Sequence, residues 1–258
     1  VALQPQAGVL TDGRILVVTA VAAERDAVVR GVGASACPVD ASPTGGPTLP
    51  DAGGTGRGFV VIEGGVGPAA AAAATATALA SAAARGTGYA LVVSAGIGGG
   101  FPGAPVGSLV VADTIVAADL GAETADGFAS VAELGFGTVT HCPPPALAAA
   151  AAEATGAARG SVLTVSTVTG SAERAAALLA RHPDAAAEAM EGFGVAEAAA
   201  AHGLPVLEVR AVSNAVGPRD RAAWRIGAAL DALATAFGGL VPVIEGWKEP
   251  GRHGETDD

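Results

Sequence analysis

Three side chains stand where a protein could grip and cleave a small polar ligand. Glu24 follows Ala20-Val21-Ala22-Ala23, at the junction between a strand-like run and a helix-like one. Glu191 lies in Ala189-Met190-Glu191-Gly192-Phe193-Gly194, and Asn214 closes Arg210-Ala211-Val212-Ser213-Asn214 about twenty residues later. Glu24 is either a first-turn glutamate that favours the helix dipole or a general base at the carboxyl edge of a sheet, where open α/β proteins place their sites. Glu191, beside Phe193 and Val195, is either an exposed helix residue or a half-buried carboxylate needing donors, which two sugar hydroxyls would supply. Met190, the single methionine, fills a core or underlies a ligand. Asn214 is a turn former or a ligand contact, with Arg219, Arg221 and Trp224 close behind it. The two arginines either pair with Asp220 and Asp231 or present a planar guanidinium to an anionic substrate group.

The rest of the composition narrows the chemistry. A net charge of −11 argues against nucleic acid, because phosphate binding needs clustered Lys and Arg. Four dispersed histidines and the unspaced pair Cys37 and Cys142 offer no metal or redox motif, so no structural metal is expected. His141 and Cys142, before Pro143, read as loop. No stretch of about twenty residues is expected to be apolar enough for a membrane, and no leader is visible. Cys37 and Cys142 fit a reducing cytoplasm, and no membrane partner is expected. Gly64-Gly65-Val66-Gly67-Pro68 follows a strand and opens a helix, as an anion-binding turn would. The next strand, however, ends in Ser94-Ala95-Gly96 and further glycines rather than in the acid a dinucleotide ribose requires.

These side chains need elements to hold them. Short Val-rich runs predict buried strands at residues 14–19, 58–63, 91–94, 108–112, 161–165 and 207–212. Between them lie helical stretches at 22–30, 68–85, 144–154, 172–179, 191–202 and 221–237. The alternation predicts a single three-layer α/β/α domain over residues 14–245. An N-terminal extension over 1–13, a Pro/Gly/Thr-rich loop over 38–57 and a polar tail over 246–258 flank or interrupt it.

Four blocks in order resemble the nucleoside phosphorylase/hydrolase superfamily, especially its 5'-methylthioadenosine/S-adenosylhomocysteine nucleosidase branch. They are Ala20 to Glu24, Ser94-Ala95-Gly96, Met190-Glu191-Gly192 and Arg210 to Asn214. Within it, Ala211 to Arg221 with Trp224, and Glu191 to Ala196, are similar to the futalosine hydrolases. The resemblance implies a mixed, twisted central sheet, a nucleoside substrate, no metal or organic cofactor, and a homo-oligomer of two or more subunits. It implies that Glu24 activates water, that Ser94, Ala95 and Gly96 form the base-pocket loop, and that Glu191 holds the 2' and 3' hydroxyls over Met190. Asn214 takes the place of an aspartate that would protonate adenine N7. An amide cannot act as a general acid, which favours a 6-oxopurine over adenine. Residues 91–94 offer no arginine for phosphate, so water is the expected nucleophile, with Arg25 keeping phosphate open.

Overall fold

The computed structural model describes residues 13–38 and 58–247. The expectations for residues 1–12, 39–57 and 248–258 lie outside the described residues. In chain order the elements are β1 (Arg14–Thr19), α1 (Ala22–Val32), β2 (Ala36–Pro38), β3 (Phe59–Glu63), α2 (Pro68–Ala84) and β4 (Tyr89–Gly100). There follow β5 (Leu109–Ala117), β6 (Gly121–Thr124), β7 (Gly127–Ser130), β8 (Thr140–His141), α3 (Pro145–Thr155) and β9 (Ala158–Thr164). The remainder comprises α4 (Ala172–Arg181), β10 (Ala185–Ala189), α5 (Gly192–Ala201), β11 (Val206–Ala215) and α6 (Ile226–Gly246).

The sheet runs β10-β9-β5-β11-β4-β1-β3-β2, with β8 on β5. It is mixed: β1, β3, β4 and β11 pair in parallel, whereas β5 runs antiparallel to β11. β10 also pairs antiparallel with β4, so β10, β9, β5, β11 and β4 close on themselves. One apolar layer joins the sheet to α2 and α5 through Ala71, Ala78, Leu79, Val195 and Ala199. The other joins it to α1, α3 and α6 through Val28, Leu147, Ala151, Leu233 and Phe237. Strands buried on both faces explain the continuous Val/Ile/Leu runs.

Several elements depart from expectation. The run after Ser94 is not a loop: β4 continues through the glycines to Gly100. Their missing side chains make the ring closure possible, since a Cβ on Gly98 would stand 2.7 Å from the Glu188 carbonyl oxygen. β10, written Ala185-Ala186-Ala187-Glu188-Ala189, has no strand propensity of its own and forms because β9 and β4 flank it. His141 lies in strand β8 rather than in a loop, with its Nε2 2.8 Å from Glu197 Oε1. α6 starts five residues later than predicted, at Ile226, because Asp220 caps a separate turn at Arg221–Ala223. It also runs through Gly246, past the expected domain end. At 21 residues, with a mean hydropathy of 1.6 over an 18-residue stretch, α6 is long and apolar enough to cross a membrane by length and composition, contrary to expectation. Here its Ala229, Leu233, Phe237, Leu240 and Ile244 are core residues.

Candidate active site

The ends of β1, β4, β10 and β11 surround a cavity of about 240 Å³. It is lined by Glu24, Ile97, Gly98, Gly99, Thr169, Glu188, Met190, Glu191, Asn214 and Trp224, among others. Sequence-distant carboxylates and an amide thus meet around one space, with Val66, Val168 and Ile226 exposed at its edge.

Glu24 occupies the third position of α1 and reaches back to the start of its own helix. Its Oε2 accepts from the Ala20 and Val21 N–H groups at 2.9 and 3.3 Å. Half of a capping box is therefore made here by the carboxylate of the site. Its Oε1 accepts from Ile97 N–H on β4 at 2.9 Å. The first-turn reading of Glu24 is met by this helix-capping contact, and the same carboxylate lines the cavity. Burial raises its pKa above the ordinary carboxylate value, opposed by the Arg210 guanidinium and by the Ile97 and Ala20 N–H groups.

Glu191 stands at the N-cap of α5. Its Oε1 accepts from Gly67 N–H at 3.2 Å, and its Oε2 accepts from Arg210 Nη1 at 3.2 Å. Gly67 has φ 93° and ψ 159°, a conformation essentially confined to glycine. The close approach of α2 and α5 that brings it to Glu191 needs another glycine, because a Cβ at Gly194 would meet the Pro68 carbonyl oxygen at 2.0 Å.

Arg210 ties the acids together beneath the cavity. Its Nε donates to Glu208 Oε1 at 2.9 Å and its Nη2 to Ser94 Oγ at 2.9 Å. Arg210 and Glu208 are only 1% and 0% exposed, so three carboxylates and one guanidinium share a nearly water-free space. Burial pushes the Glu208 carboxyl up, against the pull of Arg210. Burial would lower Arg210, but Glu208, Glu191 and Glu24 outweigh it and hold the guanidinium above its ordinary value. Glu208 also fits one backbone position. A Cβ on Gly192 would lie 2.2 Å from both carboxylate oxygens. Gly192→Ala is therefore expected to lower stability by about 1–3 kcal/mol, as overpacking does. Denaturant unfolding checks this, and an unchanged midpoint would mean that Glu208 can swing aside.

The other predicted residues divide. Met190 lines the cavity. So does Asn214, whose Oδ1 accepts from Ser213 Oγ at 2.8 Å and whose Nδ2 donates to the Ala215 carbonyl at 3.0 Å. Ser94, Ala95 and Gly96 are strand residues and do not line it, because β4 continues and offers Ile97, Gly98 and Gly99 instead. Ser94 is buried under Arg210, and a Cβ on Gly96 would strike Arg210 Nη1 and Glu24 Oε1 at 2.6 and 2.7 Å. Arg219 lies outside the lining but places its guanidinium 5.5 Å from the Trp224 ring centre. Arg221 is exposed and is not among the residues that line the cavity. Of the two readings of these arginines, pairing with Asp220 and Asp231 is not seen among the described residues: Asp231 lies against Arg30, and Asp220 accepts from the Ala222 N–H.

Glu188, Glu208 and Arg210 were missed as site residues. The signal for the last two was present: opposite charges two apart in an apolar strand share one face. Glu188 is hidden in an alanine run with no readable period. No group of three or more His, Cys, Asp or Glu among the described residues could hold a metal ion.

The phosphorylase superfamily matches residues 52–241 of the chain. The futalosine hydrolase of Streptomyces coelicolor is 66% identical over 235 residues, which cover 91% of this chain and 97% of that protein. The futalosine hydrolase of Acidothermus cellulolyticus is 44% identical, over 87% of this chain and 89% of its own. Among solved structures, the futalosine hydrolase of Helicobacter pylori aligns with a TM-score of 0.68 at 18% identity, over 90% of this chain and 97% of that one. The 5'-methylthioadenosine/S-adenosylhomocysteine nucleosidase of Neisseria meningitidis aligns with a TM-score of 0.70 at 21% identity, over 88% and 98%. These two structural likenesses bear on the fold alone.

Proposed function

The chain belongs to the phosphorylase superfamily, and from that membership and the cavity we propose that it hydrolyses the N-glycosidic bond of futalosine. The products are hypoxanthine and dehypoxanthinyl futalosine, in menaquinone biosynthesis. The observation that carries the reading is the set of buried acids around one guanidinium at a cavity that also holds a neutral amide. Loss of the purine leaves an oxocarbenium-like sugar, whose positive charge a cluster richer in carboxylates than in cations favours. Glu191 faces the ribose hydroxyls and strengthens its hold as the ring becomes cationic. Glu24 takes a proton from the water that attacks C1', and burial tunes it toward that task. Asn214 has a second amide N–H, beyond the one given to Ala215, to offer purine N7. Met190 supports the sugar. Arg219 beside Trp224 suits the benzoate at the far end of the substrate.

Water rather than phosphate is the nucleophile. Arg25, the cation next to Glu24, is engaged by Glu63 at 2.6 Å and Asp26 at 3.0 Å. Arg210 is enclosed by acids that would repel phosphate. The expected result is release of free sugar product at the same rate with and without phosphate, read by chromatography of both products. A sugar 1-phosphate would overturn the hydrolytic reading, and tight binding with no product would make the protein a nucleoside-binding module. The same reading makes the enzyme cytoplasmic and a homo-oligomer. Exposed Leu120, Leu134 and Phe136 support the second point, and sedimentation tests it.

A further inference from the structure

Three carboxylates line the cavity. The proposed reaction employs Glu24 for water and Glu191 for ribose, and leaves Glu188 without a task. Glu188 is only 5% exposed, an expensive place for an acid with no purpose. Its position in the sheet is specific. Glu188 on β10 pairs with Gly99 on β4, and Gly99 pairs with Asn214 on β11. Acid, glycine and amide therefore form one row across three adjacent strands. The outer two backbones stand two strand spacings apart, about 9–10 Å, over a centre with no side chain. A Cβ on Gly99 would come within 3.3 Å of Asn214 Nδ2 and 2.9 Å of Val216, so the floor must stay bare. A flat bicyclic base fits over such a floor with one polar side chain at each edge.

We propose that Glu188 reads the N1–H of a 6-oxopurine and is the residue that rejects 6-aminopurines. This rests on the function proposed above and adds the determinant of base choice. A 6-oxopurine carries a donor at N1, and a carboxylate only accepts. A 6-aminopurine carries a lone pair at N1, which a carboxylate repels. Glu188 is held for this role from behind. Its Oε1 accepts from the Thr169 N–H at 2.9 Å and its Oε2 accepts from Thr169 Oγ1. Burial raises its pKa, but the two Thr169 donors and the Arg174 charge oppose that rise and favour the ionised acceptor. With Asn214 donating at N7, the two edges of the base are read by groups of opposite hydrogen-bonding sense.

The test compares kcat/KM for the 6-oxo nucleoside, its N1-methyl derivative and its 6-amino analogue. The parent protein should prefer the first by ~10²-fold or more, because the second sets a methyl group and the third a lone pair against the carboxylate in place of a donor. Glu188→Gln should narrow the 6-oxo to 6-amino ratio at least about tenfold, since its amide can donate to N1. If Glu188 only anchors the segment containing Thr169, Glu188→Gln slows both nucleosides equally, and the unchanged ratio overturns the proposal. Calorimetric binding of hypoxanthine against 1-methylhypoxanthine to the parent protein needs neither a variant nor turnover. Equal affinities would also overturn it. Failure to cleave any 6-oxopurine nucleoside would instead remove the proposed function, while the binding comparison would still decide the role of Glu188.

Discussion

Glu24→Gln is expected to reduce turnover by ~10²-fold or more while KM stays within a few-fold. The amide keeps the shape of the side chain and one acceptor, for either the Ala20 and Val21 N–H groups or the Ile97 N–H group. It cannot take a proton from water. The parent enzyme should also lose kcat/KM on its acid limb at a pH above that of an ordinary carboxylate. The sign follows from the base having to be ionised, and from burial favouring its protonated form. That limb should vanish in Glu24→Gln. Steady-state rates across pH check both statements, and near-parental turnover in the variant would remove Glu24 from the chemistry.

Arg210→Ala is expected to cost about 3–5 kcal/mol of stability, the usual result of stranding buried charge. The side chain bonds Glu208, Glu191 and Ser94 at once, and all are buried with it. The loss should grow with pH. Without the guanidinium the Glu208 carboxyl, already raised by burial, rises further. A raised folded-state value means stability that is present at acid pH and disappears as pH climbs through that value. Arg210→Lys should recover only part of the loss, since an ammonium lacks the planar fork that spans three partners. Urea denaturation at acid and mildly alkaline pH measures both. Equal losses at the two pH values would show that the acids do not change ionisation around Arg210.

The amino-acid sequence by itself determined the layered α/β architecture. Runs such as Ile15-Leu16-Val17-Val18 and Leu91-Val92-Val93 can only be strands buried on both faces, and the alanine-rich stretch from Pro68 can only be a helix packed closely on them. It also marked Glu24 and Asn214, which stand at the ends of apolar runs, and Met190 and Glu191, which stand where a helix-like run opens. What the tertiary structure alone decided is the closure of β10 onto β4. Strand pairing between distant segments is a property of their neighbours, and neither polyalanine nor a glycine run carries a period that announces it. The same closure brings Glu188 into one row with Gly99 and Asn214. That Arg210 and Glu208 share one strand face was readable from their spacing, but that the two charges are buried together was not. A charged pair in a strand is tolerable in a core only when other acids, donors and a side-chain-free glycine arrive from elsewhere, and those groups lie on β4, α2 and α5.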